Sequence, residues 1–555
     1  VVATGDFAGI NHCPKILQPN SGICNIGATF TPTVLGPATG SLLVYDDARG
    51  SPQVVQLSGI GIATYPPPVI TFSYPNSAPV GSSPVKVSIS GNDIFAESKV
   101  FLNGKDYSGS VKHFQGGLEV TLGSGLLTSI RTLSLQVVNP PPGGASAPLE
   151  FTVYARTVLS AADAVFEPFT QKFYASIPAS SPTTPNSLVT IDPATGQIGA
   201  PIQIGNDPGA LGLSDDGQTL YVALNGDNSV VPFDLATQSV GLPIPLGIDP
   251  QKGALKASDL QVQPGASGNV VATLAAGYYG SDGVALISNG SVVSEFFNEP
   301  PNNVAPGGTR FVGNSDLYGW QTGYNSTGML HFVLTGNQLL EGPGFPGFYG
   351  LGVFASDGSN LFDVNGQVYN AATGVLVGNL GTSGLTIFRD ASSGRIFLSS
   401  TPFGGFAVFD SSTLAQVGSS GGPATATLRL DRWGRNGLYY LMPSDSSGYD
   451  LVQTRSNLFY SSPGTNPVPA VLALSPSTVS SGGRNSVLTV TGSQFVPGAV
   501  AQWNGADRTT RWIDASTLTV DIPAGDIASP GTAKVSVINP APGGGKSNSA
   551  ALTIQ

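Results

Sequence analysis

Between Asn206 and Gln238 the chain alternates three short apolar runs, GALGL, TLYVAL and SVVPFDL, with the polar clusters SDDGQ and NGDN. β-prone runs of this length, cut by Asp-Gly and Asn-Gly, predict hairpins. Weaker copies recur on both sides. Repeat starts fall at AADAVFEPFTQKFYASI, GALGLSDDGQTLYVAL, ASDLQVQPGASGNVVATL, GTRFVGNSDLYGWQ, YGLGVFASDGSNLFDV, GLTIFRDASSGRIFLSS and ATLRLDRWGRNGLYYLM. Each pairs a strand, a Gly-containing turn and a second strand. VTIDPATGQ, VPFDLATQ, VYNAATGVL and AVFDSSTLAQV supply third strands with an Asp-x-x-T-like turn. Residues 158–462 therefore predict a β-propeller: at ~40–50 residues per four-stranded blade the length allows about six to eight blades, and the repeat starts favour seven.

A second repeat brackets the first. VSISGNDIFAESKVFLNG at Val87–Gly104 matches LTVTGSQFVPGAVAQWNG at Leu488–Gly505. VNPPPGGASAPLEFTV at Val138–Val153 matches INPAPGGGKSNSAALTI at Ile538–Ile554. Asn103-Gly104 and Asn504-Gly505 predict type I′ turns, and the Pro-Gly-Gly stretches break the ladder before a last strand. These copies define domains over 68–154 and 468–555. Ahead of them, residues 1–63 alternate apolar and polar positions at CNIGATFTP, TGSLLVYDD and QVVQLSGIG, which predict strands. TYPPP at Thr64–Pro68 reads as a stiff connector.

These motifs resemble known families. The x-V-x-G-x-x-F, V-x-x-N-G and V-x-N-P-x-P-G-G-x-S pattern resembles the IPT/TIG immunoglobulin-like domains. The propeller region resembles the YVTN/quinoprotein-like seven-bladed group, most closely in its second repeat. GDF, the Cys pair and FTPT–G–SLLVYDDARGSPQVVQLSGIG resemble the ASPM/SPD-2/Hydin-type, or choice-of-anchor, β-sandwich. That family's domain normally has further strands before the GDF element. The first sandwich is thus expected either to be truncated or to be completed by a strand from another chain, the latter implying a filament. The fold class that follows is all-β, a seven-bladed β-propeller flanked by immunoglobulin-like β-sandwich domains.

Composition agrees. Charged residues are only 10 % of the 555, too few for the Glu/Lys pairs of helical surfaces, and Gly 73 with Pro 44 suits short strands and tight turns. Net charge is −11 without a basic cluster, so nucleic-acid binding has no electrostatic footing. No apolar run reaches the ~18 residues of a membrane span, and no signal peptide is present. Cys13 and Cys24 lie close together in a large chain, which argues for a local disulfide and an oxidising, extracellular or cell-surface location. Two unpaired buried thiols are the alternative reading, while in the resembled family such cysteines commonly pair.

Chemistry is sparsely signalled. His12, His113 and His331 are isolated, so an imidazole metal site is not expected. Haem, phosphate-loop and nucleophile-elbow motifs are absent, as is the tryptophan docking repeat of quinone enzymes. Asp215, Asp216, Asp357, Asp410 and Asp431 fall in predicted turns. Such acids serve glycoside hydrolysis or calcium binding, or simply bond their own backbone; the last reading is preferred. Tyr278, Tyr279, Tyr318, Trp320, Phe345, Phe348 and Tyr349 sit in glycine-rich stretches, either as binding-loop aromatics or as packing between blades. No catalytic, cofactor or metal residue is assigned. The expectation is a non-enzymatic extracellular protein whose propeller binds a protein or glycan, with self-association into a filament as one form of it. A propeller lyase or glycan-acting hydrolase is the alternative.

Overall fold

The computed structural model describes residues 1–555 apart from 19–21, 62–64, 142, 169, 250–252, 277–281, 298–304, 323–327, 347–353, 391–392, 400–403, 424–428, 435, 446, 460–465, 497–498, 515 and 540–543. Regular structure among the described residues is β, with short 3-10 turns the only helical pieces. The chain divides into two compact units. One holds 1–75, 86–122 and 134–149; the other holds 76–85, 123–133 and 150–555.

In the second unit, four- and five-stranded antiparallel sheets follow one another along the chain. Their first strands are Asp163–Glu167, Pro208–Leu213, Lys256–Gln263, Ala305–Val312, Phe354–Ser356 and Ile387–Asp390. A further sheet opens with Leu430–Trp433 and continues through Gly437–Pro443 and Tyr449–Arg455. Its fourth strand comes from far upstream: Leu149–Ala161 pairs with it antiparallel, Ala155 opposite Gln453. Each sheet shares an apolar core with the next. Leu188 packs with Leu211 and Val222, Val271 with Leu317 and Phe332, and Phe362 with Ile396 and Phe409. Phe173 of the first sheet packs in turn with Trp433 and Tyr439 of the last. The series therefore closes on itself, which is a β-propeller arrangement. Strands buried on both faces explain why the runs read as continuous apolar stretches rather than alternation.

The bracketing repeats fold alike. In the C-terminal copy one sheet runs Ala470–Ser475, Ser486–Ser493, Thr517–Ile522, Thr510–Asp514, over a second built on Gly531–Asn539 and Val500–Trp503. Between them lie Leu488, Val490, Trp503, Leu518, Val520, Val535 and Val537. In the first unit Val87, Ile89, Leu102, Leu118, Val120, Leu135 and Val137 occupy the matching buried positions. The polar staples are duplicated too. Asn139 Nδ2 donates to Pro66 O (2.6 Å) and Asp93 O (2.9 Å); Asn539 Nδ2 donates to Pro467 O (2.8 Å) and Gln494 O (2.7 Å). Asn103-Gly104 and Asn504-Gly505 all have positive φ, as type I′ turns require.

Residues 1–61 form a three-stranded sheet, Val2–Ala3, Gly36–Val44 and Gln53–Gly61, beside the hairpin of Phe7–Asn11 with Ile26–Phe30. Phe7 stacks on Phe30 at 4.6 Å. Cys13 and Cys24 form a disulfide with Cα atoms 4.9 Å apart.

Candidate functional site

The first strands of the propeller sheets carry charges that a buried strand ordinarily excludes. Asp163, Asp259, Arg310, Arg389, Asp390, Asp431 and Arg432 all lie on them, and Arg429 immediately precedes one. Their strand neighbours Ala164, Leu260 and Trp433 enter the cores between sheets.

Most of these charges are matched. Arg429 Nη1 donates to both Asp163 oxygens at 3.0 Å and to Ala164 O at 3.2 Å, and Nη2 donates to Leu211 O at 3.3 Å. Asp163 also accepts from Ala164 N (2.8 Å) and Leu211 N (2.9 Å), so one ion pair ties the first strands of the last, first and second sheets. Arg310 Nη1 reaches Asp259 at 3.1 Å, and Gln261 Nε2 donates to both oxygens of Asp259 at 3.0 and 3.2 Å. Arg432 Nε pairs with Asp390 at 3.2 Å. Burial pushes the Asp163 carboxyl up, opposed by Arg429 and the two backbone N–H groups. Burial works against the Arg429 cation, yet Asp163 and the nearby acids more than offset it and hold that guanidinium protonated.

A cleft of about 300 Å³ opens among these strands, lined by Phe166, Asp215, Gln261, Arg310, Phe311, Arg429, Asp431 and Tyr439 over the apolar Val165, Leu213, Leu260 and Val262. Asp431 accepts from Arg432 N at 2.6 Å; burial pushes its carboxyl up, with Arg429 and Arg432 pulling back. Asp215 accepts from Gly265 N at 3.1 Å and is likewise pushed up by burial. Burial, then Asp431, drive the Tyr439 phenol far above its ordinary value. Neither His nor Cys lines the cleft. Among the described residues no group of three or more His, Cys, Asp or Glu stands together as metal ligands.

The turn acids divide. Asp216 bonds Ser214 Oγ and Gln218 N, Asp357 bonds Ser359 N and Asn360 N, and Asp410 bonds Ser412 N, Thr413 N and Arg395. These brace their own bends. Asp215 lies in a turn but also reaches the neighbouring sheet. Asp431 is a correction: it lies within the strand Leu430–Trp433, because the LRLDRW run is held there by Leu430 and Trp433 in the cores on either side.

The three described candidate aromatics, Tyr318, Trp320 and Phe345, do not line the cleft. Tyr318 is buried in the strand Asp316–Thr322, stacked on His331 at 4.4 Å, its hydroxyl donating to Ala371 O at 2.9 Å. Trp320 and Phe345 pack at the same inter-sheet core. Tyr278, Tyr279, Phe348 and Tyr349 lie outside the described residues. His331 Nε2 meets Asp316 Oδ1 at 2.8 Å, a buried strand position with a partner. Of the polar residues that build the cleft, Asp215 and Asp431 stand among the turn acids of the sequence, while Gln261, Arg310 and Arg429 carry a signal of another kind: polar or charged residues inside the first apolar run of several repeats, as in AADAVF, ASDLQV, GTRFVG and ATLRLD.

No protein-family model and no curated protein matches the chain. Among solved structures it is similar to the Myceliophteria thermophila Cps50 (Swd1) β-propeller domain, with 10 % identity, 55 % of this chain and 100 % of that one covered, and a TM-score of 0.41. The RRP9 WD40 repeats match at 10 % identity over 55 % of this chain and 97 % of theirs, TM-score 0.41. The dihydro-heme d1 dehydrogenase NirN matches at 16 % identity over 59 % and 73 %, TM-score 0.37.

Proposed function

We propose that this chain is a non-enzymatic extracellular or cell-surface binding protein. In this reading a seven-bladed propeller over 158–462 is the platform for a protein or glycan, and immunoglobulin-like sandwiches over 1–63, 68–154 and 468–555 space and connect it. One observation carries the reading: the two central guanidiniums, Arg429 and Arg310, are each already bonded to a carboxylate. Such a network supplies fixed donors and acceptors for a ligand, while Asp215 and Asp431, pushed up by burial, are the groups the enzyme alternative would draw on. The disulfide supports an oxidising location. Self-association into a filament is a further form of the same reading, supported by side chains such as Val54, Val55 and Ile60, which the open strand Gln53–Gly61 leaves more than half, half and more than two-thirds exposed (53 %, 50 % and 71 %).

The test is to expose the purified chain to glycan and surface-protein arrays and to assay every bound molecule for turnover. Binding without turnover is the expected result. Conversion of a bound glycan, lost in Asp431→Asn, would instead establish the hydrolase or lyase alternative. Size analysis across a concentration series tests the filament form, for which assembly should disappear when residues 1–63 are removed.

A further inference from the structure

We infer that the cleft among the first strands is a saccharide site, holding one terminal sugar through Arg310, Gln261 and Asp431 with Phe311 beside the ring. The inference rests on the platform reading above and narrows it to a ligand class and a place.

Three observations carry it. The first is size: about 300 Å³ lies at the small end of ligand pockets, ~300–1,000 Å³. That suits the end of a ligand and not the face of a protein, which needs ~800 Å² per partner.

The second is the character of the polar groups. A hydroxyl both donates and accepts, so a polyol is matched by a wall that offers both kinds of group in fixed orientation. Arg310 has one nitrogen on Asp259 and Thr309 O; its side chain is 44 % exposed and lines the cleft, and a guanidinium carries five N–H donors in all. Gln261 gives its amide nitrogen to Asp259 and keeps its carbonyl oxygen as an acceptor. Asp431 takes Arg432 N on Oδ1, and Asp215 takes Gly265 N on Oδ2. Both residues line the cleft, so it is walled by carboxylate acceptors as well as donors. Guanidiniums tied to carboxylates are weak anion traps, and carboxylates interleaved with guanidiniums are weak cation traps. A neutral polyhydroxylated ligand loses nothing to either.

The third is the apolar component. Phe166 and Phe311 are both partly exposed at the cleft, and ring faces next to hydrogen-bonding groups supply the contact that the C–H face of a sugar requires. Phe166 is itself braced on Phe173 at 5.1 Å, and Phe311 packs on the core between the third and fourth sheets. Both rings are therefore fixed before a ligand arrives, which lowers the ordering cost of binding.

The experiment uses the full chain on an array of neutral, acidic and amino-bearing oligosaccharides, followed by saturation-transfer NMR on the bound class. Arg310→Ala and Phe311→Leu are made in parallel, with near-UV circular dichroism to confirm the native fold. Neutral glycans should bind, with terminal-ring protons most strongly saturated, and each variant should lose at least tenfold in affinity while folded. Should Arg310→Ala misfold, Phe311→Leu and the saturation pattern decide alone. Glycan binding untouched by both variants would place the sugar elsewhere and overturn this inference while sparing the platform reading. Binding of proteins alone, or of acidic or amino-bearing sugars alone, would overturn it in the same way. Turnover of a bound glycan would overturn the platform reading itself.

Discussion

Aspartates do opposite things in two regions of this molecule. On the first strands Asp163 and Asp431 are enclosed, and burial is the largest influence on each, pushing the carboxyl up. At the strand ends that lead into turns, Asp410 and Asp234 lie toward water, and side-chain and backbone hydrogen bonds hold their carboxyls below the ordinary range. The turn acids exchange water for local N–H and O–H donors and stabilise the bends that connect strands. The strand acids give up water for a guanidinium and a few backbone N–H groups, an exchange that costs stability. In the proposed reading, these enclosed groups hold polar chemistry in place for a ligand. This difference, rather than any motif, marks the cleft.

The sharpest way to break the comparison is Asp163→Ala. It strands the Arg429 guanidinium among Ala164 O and Leu211 O, and a broken buried pair costs ~3–5 kcal/mol; urea unfolding should show that loss. Replacing both partners, Asp163→Leu with Arg429→Met, should recover most of it, since an apolar pair of similar volume avoids the desolvation cost. The turn counterpart is milder. Asp410→Ala removes bonds to Ser412, Thr413 and Arg395 from a side chain that is 29 % exposed, and solvent screening limits the expected cost to ~1 kcal/mol.

The pH dependence of the two classes should have opposite sign. Raised in the folded state, Asp431 withdraws stability as pH climbs from the ordinary carboxylate value through its folded value. Asp431→Asn should therefore be more stable than the parent at neutral pH, an advantage that vanishes in acid where both are uncharged. Asp410 is lowered, so its contribution is present above the ordinary value and lost as pH falls through the folded one. Asp410→Asn should accordingly be less stable at neutral pH and converge with the parent in acid. Thermal melts from pH 7 downward on both variants read this out, and two curves deviating in the same direction would break the comparison. Smallest of all, Asp234→Ala should shift the melt least, because its bonds to Thr237 lie at an exposed turn.

Legibility in the sequence follows the same division. Hairpins, turns and the duplicated sandwiches were readable because their causes are local: Asn-Gly pairs needing positive φ, apolar alternation and repeated spacing. Asn139 and Asn539 were also visible, as the Asn of the repeated V-x-N-P, although their role as staples to Pro66 and Pro467 required the fold. The disulfide was legible from the proximity of Cys13 and Cys24. The cleft was not, because its lining residues, from Val165 to Tyr439, lie far apart in the chain; the Asp163–Arg429 pair beside it alone spans 266 residues. Tyr318 packs between sheets, the second of the two readings that its glycine-rich stretch left open, since glycine allows close packing of sheets as readily as open loops.

The most direct measurement is a structure of the full chain soaked with the glycan selected on the array. The account predicts a sugar ring against Phe311, with hydroxyls on Arg310, Gln261 and Asp431, and with the Asp163–Arg429 pair unchanged. Clear density for the glycan on another surface, with the cleft residues undisturbed, would contradict it.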